Sequence, residues 1–166
     1  TQMLRIQQVL SGHIKTDEGD LLEVPTQRLS AMMDCIEEVS GKIIIWSRFR
    51  YDIIHIQAEL AKVYGEQSVV SYYGDTSDQD RQLAIDRFQN GTARFFVANP
   101  ATAGYGLTLT EASTVIYYAN DFNLETRIQS EDRCHRIGQK NPVTYIDLIA
   151  DGTIDEKIVK ALRDKI

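Results

Sequence analysis

Arg133 and Arg136 stand three residues apart in the run Gln129-Ser-Glu-Asp-Arg-Cys-His-Arg-Ile-Gly-Gln139, with Asp132 and His135 beside them. On a helix, positions three apart share a face. Two guanidiniums on one face repel unless an anion lies between them. Guanidinium is planar, permanently charged and forked, so it suits phosphate oxygens better than an ammonium does. Two readings stand on these residues alone. One is a solvated basic helix end favoured by the C-terminal dipole. The other is a seat for a phosphoryl group.

Three further segments sit where a ligand would reach them. Ser47-Arg-Phe-Arg50, Gly74-Asp-Thr-Ser77 and Asn99-Pro-Ala-Thr-Ala-Gly-Tyr-Gly106 each follow a short apolar run. In an open parallel sheet, ligands sit at the carboxyl ends of the strands. The second segment opens a helix, whose backbone amides suit an anion. Small residues in the third let a backbone approach closely. Each is also an ordinary strand–helix turn. Gly104-Tyr-Gly106 is not a dinucleotide fingerprint, since Leu109 stands where a third glycine belongs.

The elements that must position these loops follow from periodicity. Helices are expected from Pro25–Thr26 to Gly41, over 51–64, over 77–88 with Ser77 as cap, over 124–135, and over 154–166. Strands are expected over 43–46, 69–72, 95–98, 115–118 and 143–149. Residues 1–25 show no clear period, and Asp17-Glu-Gly-Asp20 reads as a turn. Strands alternating with helices predict an α/β fold with a parallel sheet covered on both faces.

The chain has 166 residues, 43% of them hydrophobic and 25% charged, with a net charge of −6. That is one soluble-type domain by length. No apolar stretch approaches a membrane span, and no signal segment opens the chain. Cys35 and Cys134 make neither a disulfide framework nor a zinc pattern, so a reducing cytoplasm is expected and no metal site. The start at Thr1 and the end on a helical pattern fit a piece of a longer protein. DNA affinity comes largely from phosphate neutralisation. A chain this acidic is expected to bind DNA weakly alone, through a local patch.

The run from Gln129 to Gln139 resembles motif VI of superfamily-two ATPases, in the version of Swi/Snf-type DNA translocases and annealing helicases, including bacterial and phage members. Three more blocks match in order: Lys42-Ile-Ile-Ile-Trp-Ser-Arg-Phe49, then Tyr73-Gly-Asp-Thr-Ser with Arg81 and Ala84-Ile-Asp-Arg-Phe-Gln-Asn-Gly91, then Ala98 through Leu109 with Thr114-Val-Ile-Tyr117. The resemblance runs from about residue 20 to the C-terminus. It implies a RecA-like helicase C-terminal lobe over 26–150, an inter-lobe extension over 1–25, and a closing, brace-like helix over 151–166. It implies that Arg133 and Arg136 are catalytic arginine fingers, that Gly106, Gln129 and Asp132 face nucleotide, and that Ser47, Arg48, Gly74, Thr102, Ala103 and Gly104 track one strand of double-stranded DNA. At one position the chain departs from the pattern, carrying Thr108 where asparagine is usual.

The absences complete this reading. A phosphate-cradling loop needs G-x-x-x-x-G-K-[ST]. Gly41-Lys42 is followed by Ile43, and Ile36 stands where the first glycine belongs. No strand ends in paired acids for magnesium. ATP and Mg2+ are therefore expected on a first RecA-like lobe of the parent chain, which this chain would serve in trans, with no cofactor on this fragment alone. The alternatives are the second lobe of an RNA helicase and a motor-derived scaffold. The former would carry arginines where Gln139 and Pro142 stand; the latter would have lost Arg133 or Arg136.

Overall fold

The computed structural model describes residues 2–102 and 107–165. Among them the chain runs α1 (Gln2–Leu10), β1 (His13–Lys15), β2 (Leu21–Glu23), α2 (Arg28–Glu38), β3 (Lys42–Ser47), α3 (Arg50–Tyr64), β4 (Val69–Tyr72), α4 (Asp78–Gln89), β5 (Phe95–Ala98), β6 (Ala112–Ala119), α5 (Leu124–Glu131), β7 (Thr144–Asp147) and α6 (Ile154–Arg163). A 3-10 turn at Glu66–Ser68 precedes β4.

The main sheet of the described residues has five strands in the order β4-β5-β3-β6-β7. Every neighbouring pair is parallel, with Ile44 opposite Phe96 on one side and Val115 on the other. The central strand β3 is apolar without alternation because both of its faces are covered. Ile43 and Ile45 pack with Met32 and Ile36 of α2 and Ile53 and Ile56 of α3. Ile44 and Trp46 pack on the opposite face with Phe88 of α4, Phe96 and Tyr117. Each such side chain contributes about 2 kcal/mol by burial. The result is a three-layer α/β/α lobe, and its strand order places β3 beside the point where the chain reverses direction across the sheet.

The opening segment is ordered where no period was legible. It forms α1 and an antiparallel hairpin of β1 with β2, turning through 16–20. Its sequence inverts the usual rule. Met3, Ile6 and Val9 face solvent, while Gln7, Ser11 and His13 are buried. Among the described residues of α1, only Leu4 packs on the core cluster, so the apolar positions of this segment show no core-facing period.

The closing helix α6 buries Ile158, Val159 and Leu162. It is tied to α2 by a buried ion pair between Arg28 and Asp155. Arg28 Nη1 also donates to the Tyr118 carbonyl at 2.5 Å, and Asp155 Oδ2 accepts the Ala150 amide at 3.0 Å. Both charges are thus paired and hydrogen-bonded, the condition for burying them.

Candidate functional site

The loops that leave the carboxyl ends of β3, β4, β5 and β6 converge on one edge of the sheet. After β3 the chain must turn at once into α3. Ser47 makes that turn. It is fully buried, its hydroxyl donates to Asp52 Oδ2 at 2.6 Å, and its oxygen accepts the Phe49 amide at 3.4 Å. Burial pushes the Asp52 carboxyl up to about 7, against the pull of the Ser47 hydroxyl. Ser47 therefore shapes the loop from inside, and its hydroxyl does not reach solvent.

Arg48 is half-buried at the mouth of the same turn. Its Nη1 donates to Gln7 Oε1 at 2.7 Å, and Gln7 Nε2 donates to the Asn120 carbonyl at 2.6 Å. One buried amide of α1 thus bridges the ends of β3 and β6. Asn99 works from the other side. Its Nδ2 donates to the Arg48 carbonyl at 2.9 Å, and its Oδ1 accepts the Ala101 amide at 2.8 Å. Thr102 closes this turn with its amide and hydroxyl on the Asn99 carbonyl, at 3.2 and 3.1 Å.

Gly74 is exposed in the β4–α4 loop, with open space where a side chain would be. Thr76 Oγ1 accepts the Tyr73 amide at 3.1 Å, and Ser77 caps α4 by accepting the Asp80 amide at 3.2 Å. The expected cap is there, and its own hydroxyl occupies an amide that the sequence offered to a phosphate. Arg81 reaches back to donate to the Gly74 carbonyl at 3.0 Å.

The arginine run departs from the expectation of a continuous helix. α5 ends at Glu131, and 132–138 form successive turns. Several contacts bend the chain there. Cys134 is drawn into the core cluster beside Tyr117 and Leu109. The Leu109 amide donates to the Arg133 carbonyl at 2.8 Å. Gln139 Nε2 donates to the carbonyls of Ala112 and Cys134, both at 3.1 Å. Gly138, at φ 108, then takes a conformation that L side chains rarely adopt.

The two arginines accordingly do not share an exposed helical face. Arg133 is 5% exposed. Its charge opposes the burial that pushes the Tyr72 phenol up to about 12, as does that of Arg81. Arg136 is exposed, with Nη1 lying 3.5 Å from Thr108 Oγ1. The structure thus brings Thr108, which stands where asparagine is usual, next to Arg136. Gln129 is half-buried and donates to Glu125 Oε1 at 3.0 Å, while Asp132 is the exposed C-cap of α5. Ala103, Gly104 and Gly106 lie outside the described residues.

Two residues that hold this region together, Gln7 and Arg127, stand outside every candidate segment; Arg50 and Asn99 stand inside such segments without a role of their own, and Asn-Pro after a buried strand initiates the turn at Asn99. Arg127 donates to Glu131, Asn120 and both oxygens of Asp147, anchoring α5 to β7. Among the described residues, no cluster of His, Cys, Asp or Glu is placed to hold a metal ion, and no helix is long and apolar enough to cross a membrane.

Comparison with known proteins bears on this edge. The family model described as the helicase conserved C-terminal domain matches residues 27–138. Protein CHROMATIN REMODELING 19 of Arabidopsis thaliana is 32% identical over 155 residues, 91% of this chain and 20% of that protein. The SWI2/SNF2 ATPase core of Sulfolobus solfataricus, solved in complex with dsDNA, is 30% identical with a TM-score of 0.75, covering 97% of this chain and 34% of that one. The C-terminal part of the Fun30 ATPase domain is 27% identical with a TM-score of 0.74, covering 81% of this chain and 45% of that one. The chain spans about a fifth of the length of the remodelling protein it matches.

Proposed function

The chain belongs to the helicase conserved C-terminal domain family, as a RecA-like lobe of the Swi/Snf type, and from that premise we propose that it is the second motor lobe of an ATP-dependent double-stranded DNA translocase. The observation that carries the proposal is the exposed Arg136, held on a glycine-ended turn beside Thr108. A guanidinium presented this way suits the charge that spreads over a transferring phosphoryl group. ATP and Mg2+ bind mainly to the first lobe of the same parent, which supplies the phosphate loop this sequence lacks.

In this reading Arg136 is the finger that reaches the γ-phosphoryl when the lobes close. Arg133 works from the wall of the same turn, and Gly106, Gln129 and Asp132 border the nucleotide. Lobe closure then couples hydrolysis to a step along DNA, because the loops at the carboxyl ends of the strands of this lobe hold one DNA strand. Arg48, Gly74, Thr102, Ala103 and Gly104 are the positions assigned to its phosphates. Ser47 shapes the first of these loops. The complex of the Sulfolobus solfataricus core with dsDNA supports the choice of duplex. A DNA-bound compartment, nucleoid or nucleus, follows, and α6 braces the two lobes.

The test is phosphate release by a protein in which this lobe is joined to its first lobe, with duplex DNA or single-stranded RNA added. Duplex should stimulate turnover, RNA should not, and the chain alone should show no turnover above blank. Stimulation by RNA in place of duplex would assign the lobe to an RNA helicase. Turnover by the chain alone would overturn the division of labour.

A further inference from the structure

Arg50 opens α3 two residues beyond Arg48. A cation at the first turn of a helix opposes the dipole, so helix stability does not explain it. Its guanidinium lies over the Tyr73 ring, 4.5 Å from the centroid, and its Nη1 donates to Asp75 Oδ2. Tyr73 and Asp75 flank Gly74 in the β4–α4 loop. Arg50 and Asp75 are both well exposed, at 57% and 73% of their side-chain surface. Three features therefore meet beside an exposed backbone. There is an arginine over an aromatic face, a carboxylate oxygen on its Nη1, and open space at Gly74.

We propose that Arg50 binds a phosphodiester of a nucleic-acid backbone, and that Asp75 occupies the guanidinium until the nucleic acid displaces it. The proposal rests on the reading that these edge loops track a DNA strand. The ring of Tyr73 holds the guanidinium in place by cation–π attraction, so its position survives the exchange of partners. Carboxylate and phosphodiester offer the same forked pair of oxygens. An exposed ion pair is weak enough to be replaced. Asp75 would otherwise repel the incoming strand, and it withholds one cation from nonspecific binding.

The chain itself is titrated with a fluorescein-labelled duplex across roughly 50 to 200 mM salt. Arg50→Ala should weaken binding about two- to fivefold, the equivalent of one exposed ion pair. It should also reduce the salt slope by about one. Asp75→Asn should tighten binding by a similar factor, and that gain should vanish in Arg50→Ala/Asp75→Asn. If Asp75→Asn tightens binding equally without Arg50, it acts only by removing charge, and the proposal is overturned. The same holds if Arg48→Ala weakens binding while neither Arg50→Ala nor Asp75→Asn changes it. If no arginine substitution on this edge matters, the DNA reading itself fails. A fluorescent ATP analogue is titrated in parallel. Arg50-dependent binding of the analogue and not of duplex would assign the fork to nucleotide and also overturn the proposal.

Discussion

Arg127 lies over the Tyr117 ring, its guanidinium carbon 3.6 Å from the centroid, and forks onto both oxygens of Asp147 at 2.6 and 3.2 Å. Arg127 and Asp147 are 10% and 8% exposed in their side chains. This pair fixes the start of α5 against β7 and so fixes where the arginine turn begins.

Breaking a buried pair strands the remaining charge. Arg127→Ala should lower unfolding free energy by about 3 kcal/mol, read from urea midpoints. A loss under about 1 kcal/mol, the worth of an exposed pair, would show that α5 is anchored by apolar packing instead.

Arg133→Ala and Arg136→Ala should differ in stability. Arg133 is buried in the wall of the turn, and truncating a buried side chain leaves a space the surroundings fill only in part, costing about 1–3 kcal/mol. Arg136 is exposed, so its removal should stay within about 0.5 kcal/mol. Thermal melts of both variants decide this. Equal melting temperatures would contradict the assignment of Arg133 to the interior.

The difference between these arginines marks how far the sequence could be read. Strands 69–72 and 95–98 lie where their apolar runs place them, and Ser77 caps α4, because short buried runs and caps are local signals. The helix expected over 124–135 stops at Glu131. What stops it is tertiary: Cys134 enters the core and Gln139 folds back onto Ala112. Neither contact has a local period. The role of Gln7 was equally hidden, since its partners Arg48 and Asn120 are far away in the chain. Arg133 and Arg136 were legible as a pair; their opposite exposure was not.

His13 and Asp52 predict an unusual pH profile. They are buried, with Nδ1 and Oδ1 3.8 Å apart. Burial, with the charge of His55 assisting, pushes His13 down to about 4 from 6.5. Burial pushes Asp52 up to about 7 from 3.8. Between about 4 and 6.5 the unfolded chain takes a proton on His13 that the folded state refuses, so this group makes stability rise with pH. Over about 4 to 7 the folded state keeps a proton on Asp52 that the unfolded chain releases, so this group makes stability fall with pH. The slopes oppose, and stability should be nearly flat from pH 4.5 to 6.5, within the windows set by these shifts. Asp52→Asn removes the falling slope, leaving stability to climb with pH across that range. Urea midpoints at stepped pH measure it, and a flat or falling profile for Asp52→Asn would contradict the pairing.

The central claim is that Arg136 is supplied in trans to a nucleotide held by a first lobe. Steady-state kinetics of DNA-stimulated ATP hydrolysis, on a protein joining this lobe to its first lobe, tests it most directly. Arg136→Ala should lower kcat by roughly 10³-fold or more, the lower end of arginine-finger effects. KM should change far less, because the guanidinium acts on the transition state. Arg136→Lys should restore little, since lysine lacks the planar fork. A folded Arg136→Ala variant that turns over near the wild-type rate would contradict the claim and remove the finger from this lobe.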